Sequence, residues 1–494
     1  MALLRKIFGG GRGKRQSEAQ EQANPKYVRT PASRPLTQEC AFDGETFDLP
    51  PSYAIESVIG RGAYGVVASG VDTRGRRAVR VAIKKVKNVF HEVEDGKRLL
   101  REVKVLRHFS HPNLMGIRAI EWPADYATFS ELYIVSHLME SDLYHVIYSS
   151  VQMSPAHICY LIFQLFTGLD CLHAAGVMHR DLKPSNVLVD SQCRLQLCDF
   201  GLARGFDDPD AAESSGGGGG GGGAFSTGAP AAMTEYVVTR WYRAPEVCLG
   251  NSNYGAAIDV WSVACIVCEL VNRSALLPGT DYMNQLSRTF AVTGTPLESD
   301  IEWVRSASAR RFILEQPRAA RAEFAALVPD ADDALIDLIE EMLVINPTER
   351  ITCERALEME YFDEHRIPGV PRVQPGRFAF DFNEVRSRAR AMSAAAPAPA
   401  RAAVGAAGAA GLGSPAAAPA ASADLVGFPT PAAGPAAPAA PDFERNLIRR
   451  LLWDEVCAFY PDARYAADAP SAPLEFELEH AVAVAAAAAA AEGD

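Results

Sequence analysis

Several things are scarce in this chain of 494 residues, and each scarcity excludes something. Its ten cysteines are scattered without a framework, which excludes a disulfide-stapled fold and suits a reducing compartment. The CxxC formed by Cys265 and Cys268 lies inside the apolar run IDVWSVACIVCEL; residues three apart on such a helix read as core before they read as a zinc or redox site. No stretch reaches the length of a membrane span, and no secretory leader opens the chain. Positive charge is also short. Lys and Arg number 48 against 61 Asp and Glu, a formal net charge of −13, which weighs against a nucleic-acid partner because phosphate backbones select basic surfaces. The opening MALLRKIFGGGRGKRQS lacks acidic residues and lacks Gly at position 2. Given the second lack, N-myristoylation is not expected; the first leaves a basic segment read as a disordered tail, with a targeting signal or contact with anionic membrane as the alternatives.

What is present is uneven. From about Phe47 to Phe382 the chain carries aromatics, β-branched residues and mixed charge; outside that span it thins into Gly, Ala, Pro and Ser. Short β-branched segments come first, YAIESVIG, GVVASGVD, VRVAIKKV and ELYIVSHL, interrupted by the helical KRLLREVKVLRHF. Beyond Met139 the pattern turns helical. Ser154 is placed as an N-cap with Pro155 in the first turn; Ile158, Leu161, Ile162, Leu165, Leu169 and Leu172 form a stripe, and Gly176 stands where the helix should stop. Strands followed by helices predict an α+β, bilobal architecture with a ligand cleft between a small β-rich lobe and a larger helical one. The tract 207–232, with its unbroken run Gly216 to Gly223, and the Ala/Pro tract 388–441 cannot bury enough apolar surface to offset their ordering entropy, so both read as disordered insertions.

The chemistry-bearing motifs follow in order. Gly60-x-Gly62-x-x-Gly65-x-Val67 lets backbone approach phosphate without Cβ interference, but the same spacing marks dinucleotide folds. Here the glycines continue into a strand that turns back to VAIK, with Lys84, instead of into a helix. Leu99, Glu102, Val103 and Leu106 share one helix face. A carboxylate on that apolar stripe is costly to bury alone, so Glu102 is expected to pair with Lys84; an exposed Glu102 at the stripe's edge is the alternative. After the helix ending at Gly176 comes His179-Arg180-Asp181-Leu182-Lys183-Pro184-Ser185-Asn186, and thirteen residues after Asn186 comes Asp199-Phe200-Gly201. Ala244-Pro245-Glu246, Asp259 in DVWS and Arg350 in NPTERI complete the series, with ordinary solvated charges as the bland reading of the last two.

These motifs, in this order, resemble those of the eukaryotic protein kinases. The tripeptide Thr234-Glu235-Tyr236, with KKVKNVF, HLMESDLYHVI, HRDLKPSNVLV, CDFGLARG and GTDYMNQL around it, is similar to the ERK-type mitogen-activated protein kinases over roughly residues 47 to 382. The resemblance implies a protein serine/threonine kinase using ATP and Mg²⁺. Asp181 would orient the substrate hydroxyl and take its proton, Lys183 would balance charge, Lys84 would reach the α- and β-phosphates, and Asn186 and Asp199 would hold magnesium. Ile59, Gly60, Gly62, Gly65, Val67, Ala82, Lys84, Ser136 and Met139 would line the nucleotide site, with the small Ser136 opening a pocket behind the adenine unless its neighbours fill the gap. Phosphorylation of Thr234 would draw in Arg101, Arg180 and Arg204; that of Tyr236 would engage Arg240 and Arg243. The alternative is that these arginines pair with nearby carboxylates and the lip is never modified. Implied partners are Ser/Thr-Pro protein substrates, an upstream dual-specificity mitogen-activated protein kinase kinase and phosphatases; the implied location is cytoplasm and nucleus. A cyclin-dependent type of kinase and a pseudokinase scaffold are the rival readings. The first lacks its PxxxRE helix here, and the second is disfavoured because Lys84, Glu102, Asp181, Asn186 and Asp199 are all present.

The domain reading is therefore a basic tail over 1–46, a small lobe over 47–139 and a large lobe over 140–366 that includes the 207–232 insertion. The start of a C-terminal extension follows over 367–387, then the 388–441 insertion, a helix over 442–465 and an Ala-rich acidic tail over 466–494. Where the family carries acidic docking residues after Phe362, this chain has DEHRIPGVPRV, which puts docking of basic peptides in question. In FERNLIRRLLWDEVCAFYP, Leu447, Ile448, Leu451, Leu452, Val456 and Phe459 keep helical spacing. The expectation is that Phe443 to Pro461 returns to dock on the kinase core; a free partner-binding helix is the competitor.

Overall fold

The structure, a computed structural model, describes residues 38–62, 65–121, 129–206, 240–250, 254–366, 375–380 and 440–459. Thr234, Tyr236, the glycine run and residues 388–439 lie outside the described residues.

The small lobe is built on a five-stranded antiparallel sheet in the order β3-β4-β5-β7-β6, where β3 is Tyr53–Gly62, β4 Gly65–Asp72, β5 Val79–Val86, β6 Ile117–Glu121 and β7 Leu132–His137. Register follows side-chain alternation: Val67 faces Lys84 across β4 and β5, and Ala82 faces Ser136 across β5 and β7. One face of the sheet buries Val66, Ala68, Val81, Ile83 and Val135 beneath Phe47 and Leu49. Those two belong to a hairpin of β1, Gln38–Phe42, and β2, Glu45–Leu49. This corrects the tail boundary at residue 46: Gln38–Phe42 already belongs to the folded lobe, because a strand with Phe47 fully buried needs a partner for its backbone. Strand β6 was not legible either, since IRAIE is short and lacks alternation.

Helix α1, Val93–His108, crosses the other face, and it begins four residues ahead of the expected KRLLREVK pattern, with Glu94 and Asp95 in its first turn, where carboxylates complement the helix dipole. After β8, Ser141–Asp142, the short α2, Leu143–Ile147, leads to α3, Pro155–Ala174. Ser154 caps α3 by accepting the His157 N–H at 3.3 Å, and Gly176 leaves the helix at φ 79°. Leu161, Ile162, Leu165, Leu169 and Leu172 are all buried, each stabilising by about 1.5–3 kcal/mol relative to exposure. Contrary to expectation, α3 is long and apolar enough to cross a membrane, but half of that stretch is buried within the large lobe. Helices α4, Ala257–Asn272, α5, Tyr282–Thr293, and α6, Asp333–Met342, complete the large lobe's frame. Cys265 and Cys268 are buried in α4, and burial pushes both thiols up, the second to about 12.

A last helix, α7, Ala440–Phe459, lies along α1. Leu447, Ile448, Leu451, Leu452, Trp453 and Val456 are buried, and Glu455 pairs with Lys104 at 2.9 Å and with Arg107. Phe378 anchors the extension by donating its N–H to Ala175 O at 2.9 Å and by packing on His108 and Phe109.

Candidate active site

The cleft is assembled from both lobes. Lys84 on β5 reaches Glu102 on α1, with Nζ at 2.6 and 2.8 Å from its two carboxylate oxygens. Glu102 is nearly buried, its side chain 6 % exposed, whereas Lys84 retains 29 % facing the cleft. Burial pulls the ammonium's pKa down, but Glu102 and Asp199 outweigh it and hold it above the ordinary lysine value. Burial, with Asp199 adding to it, raises the Glu102 carboxyl despite Lys84. Asp199 thus lies near enough for its charge to act on both members of the pair.

The glycines divide by cause. A Cβ on Gly65 would sit 1.9 Å from Lys85 O at φ 154°, so the hairpin itself demands glycine there. A Cβ on Gly60 would meet nothing nearer than Val67 Cβ at 3.8 Å, and on Gly62 nothing within 4 Å. The fold leaves room at these two positions, so no packing among the described residues requires glycine there. Ile59 is half exposed beside them, Val67 and Ala82 are partly buried, Ser136 is buried and Met139 stays partly open after β7.

In the large lobe, Asp181 lies 3.0 Å from Lys183 Nζ, and Asn186 Nδ2 donates to Asp181 O at 2.8 Å and to its Oδ2 at 3.1 Å. Two separate loop positions are strained, Asp199 at φ 64° and, in the loop after α3, Arg180 at φ 70°, which for non-glycine residues costs about 1–3 kcal/mol each. Buried Asp259 offsets this by accepting the N–H groups of His179 and Arg180, both at 2.8 Å, and a bond from His173 Nε2 at 2.9 Å. Burial would raise the Asp259 pKa, but His173, His179 and the Arg180 N–H outweigh it and hold the carboxyl below the ordinary range. Phe200 is buried against the His179 ring, at 5.2 Å between centroids. Arg350 forks onto Glu246 at 2.8 and 3.1 Å, a buried bidentate pair. His173, and Cys353 Sγ at 3.4 Å from its Nδ1, brace Asp259 without having been singled out from sequence; nothing in their local spacing marks them.

Among the described residues no cluster of three His, Cys, Asp or Glu side chains forms a metal cage. Magnesium shared with phosphates needs only one or two carboxylates, and Asp199 with Asn186 fits that requirement. Arg240 donates to Thr280 O at 2.9 Å and Arg243 to the Tyr282 hydroxyl at 2.5 Å, so the two form a pair beside α5.

This constellation, a lysine–glutamate pair across the sheet and helix above a strained acidic loop, is a protein kinase's, and residues 53–362 match the protein kinase domain family, to which the chain belongs. Within it, the chain is 44 % identical over 344 residues to mitogen-activated protein kinase 5 of Oryza sativa subsp. indica, covering 69 % of this chain and 86 % of that protein. It is 41 % identical over 342 residues to mitogen-activated protein kinase 3 of Arabidopsis thaliana, with 69 % and 86 % covered. With mitogen-activated protein kinase homolog NTF6 of Nicotiana tabacum it shares 42 % over 327 residues, with 66 % and 82 % covered. The chain is a protein serine/threonine kinase of the mitogen-activated protein kinase family.

Proposed function

We propose that this kinase is proline-directed, uses ATP with Mg²⁺, and is switched on within a signalling cascade by phosphorylation of both Thr234 and Tyr236. The observation that carries the switch is the convergence of three arginines just past Asp199-Phe200-Gly201. Arg101 from α1 donates to Gly201 O at 2.6 Å, Arg180 from the catalytic loop to Leu202 O at 3.4 Å, and Arg204 to Ala203 O at 3.2 Å. Guanidiniums from three separate segments bond three successive carbonyls there, and a phosphate with nearly two charges would be held by several charge-assisted bonds. Arg101 directly precedes Glu102, so the same contact would steady the Lys84 partner. Arg240 and Arg243 are the corresponding candidates for phospho-Tyr236.

In catalysis Asp181 would accept the substrate hydroxyl's proton, with Lys183 balancing the charge beside it. Lys84, aimed by Glu102, would fix the α- and β-phosphates, and Asn186 and Asp199 would hold the metal. Held by Asn186 and Asp199, magnesium would supply positive charge to offset that of the phosphates. The partners in this reading are Ser/Thr-Pro proteins, an upstream dual-specificity kinase and phosphatases, and the location is cytoplasm and nucleus. Incubation with an activated dual-specificity kinase, followed by mass mapping of residues 199–246, tests the switch. Phosphate on both Thr234 and Tyr236 with a rise in activity is expected; a Thr234→Ala, Tyr236→Phe enzyme as active as wild type overturns it.

A further inference from the structure

We propose that Tyr144 and Tyr148 form a recognition surface for an arginine side chain flanking the phosphoacceptor in protein substrates. Tyr144, in the first turn of α2, and Tyr148, just past its last residue, are 46 % and 47 % exposed, with ring centroids 4.8 Å apart. Paired aromatics left open to water usually answer to a partner; here the place and the rigidity of the pair point to the substrate.

Helix α2 packs against Pro184–Asn186, the turn that carries Asn186 beside Asp181. The Tyr148 hydroxyl donates to Glu269 Oε1 at 2.7 Å, and the other oxygen of the same carboxylate accepts from the Tyr242 hydroxyl at 2.7 Å. Tyr242 lies two residues before Ala244-Pro245-Glu246, so one buried carboxylate ties the exposed ring to the end of the activation segment. Beneath the pair, Arg273, held at φ 58°, donates to Val146 O at 3.1 Å, Ile147 O at 2.7 Å, Ser149 O at 3.3 Å and Val151 O, closing the carbonyl end of α2. The platform is therefore fixed before any ligand arrives, which is what a specificity contact requires.

The chemistry favours a cation. Aromatic faces attract cations, and Asp142 and Glu140 keep negative charge at the head of α2 while bonded to His145 and Ser191. Arginine fits better than lysine, because its planar guanidinium stacks on a ring while its edges still reach a carboxylate.

The test uses the full-length protein and a parent peptide that the wild type phosphorylates, with Arg, Leu or Ala placed singly at each flanking position. Rates are normalised to each enzyme's own all-Ala peptide, which removes general losses of activity. At one or more positions Arg should exceed Ala about threefold, the yield of one exposed cation–π contact, with the difference carried by KM. Tyr144→Ala and Tyr148→Ala should flatten the preference, and Tyr144→Phe, which keeps the ring, should restore it. Tyr144 makes no hydroxyl bond to Glu269, so its variants remain readable if Tyr148→Ala disturbs the anchor. Absence of an Arg preference in the wild type, a preference for Leu over Arg, or an unchanged preference in both Ala variants overturns the proposal.

Discussion

Lys84 and Glu102 are eighteen residues apart and sit on different kinds of element, yet Lys84 Nζ bonds both carboxylate oxygens, at 2.6 and 2.8 Å. Their pairing was legible because a lone carboxylate on an apolar helix stripe has to be neutralised somewhere. Glu102→Gln keeps the shape and removes the charge, so Lys84 loses its aim. We expect kcat to fall at least about tenfold, or ~1.4 kcal/mol of barrier, in steady-state assays, with the folding midpoint nearly unmoved. Asp259 gives a second prediction, set by pH. Its folded pKa is depressed, so the stability it contributes is fully present above the ordinary carboxylate value of about 3.9 and is lost as pH falls through the lower folded value. Urea unfolding of wild type and Asp259→Asn should differ most near neutrality and converge as the solution is acidified below that range. A gap that widens on acidification would contradict the assignment. Ser136 is buried opposite Ala82; Ser136→Met should sharply reduce inhibition by ATP-site compounds with bulky groups, read as a rise in inhibitor concentration for half-inhibition.

Whole elements were readable where pattern and boundary agreed. The strands β3, β4, β5 and β7 coincide closely with the β-branched segments, and α3 starts and stops at its Ser-Pro and Gly signals. What stayed hidden depends on distant partners: the hairpin of β1 and β2 becomes a strand pair only because Phe47 finds the sheet face, and nothing local in QECAF announces it. The docking of α7 on the kinase core was expected, but not the residues it would meet. Helical spacing in LIRRLLWDEV marks an apolar stripe but not the surface it meets, and the notch that receives it is a glycine, Gly96, on α1. A Cβ there would lie 2.9 Å from Ile448 Cγ2. In an ordinary helix interior Gly→Ala stabilises by about 1 kcal/mol; here overpacking should cancel or reverse that by about 1–3 kcal/mol. Gly96→Ala alone should therefore lower the unfolding midpoint or leave it flat, while in the Ile448→Ala background the same change should raise it. The coupling in this double-mutant cycle measures the contact directly, and additive effects would mean that α7 does not press on α1 there.

At the scale of the molecule, the two lobes communicate through α1, which carries Arg101 toward the large lobe and Glu102 toward Lys84 on successive residues, while α7 clamps its outer side through Glu455. One helix thus receives three inputs: nucleotide geometry, the proposed lip phosphate and the C-terminal helix. If phosphate on Thr234 acts by gathering Arg101, Arg180 and Arg204, it adds bonds between lobes and not merely within the loop. Dual phosphorylation should then raise the thermal midpoint of the whole domain and slow amide exchange along α1. Arg101→Ala should abolish both changes in the phosphorylated enzyme, although that enzyme would still carry phosphate at Thr234 and Tyr236. A phosphorylated Arg101→Ala protein with the full thermal shift would place the switch within the large lobe alone, because the guanidinium that the proposed switch takes from the small lobe would then have contributed nothing.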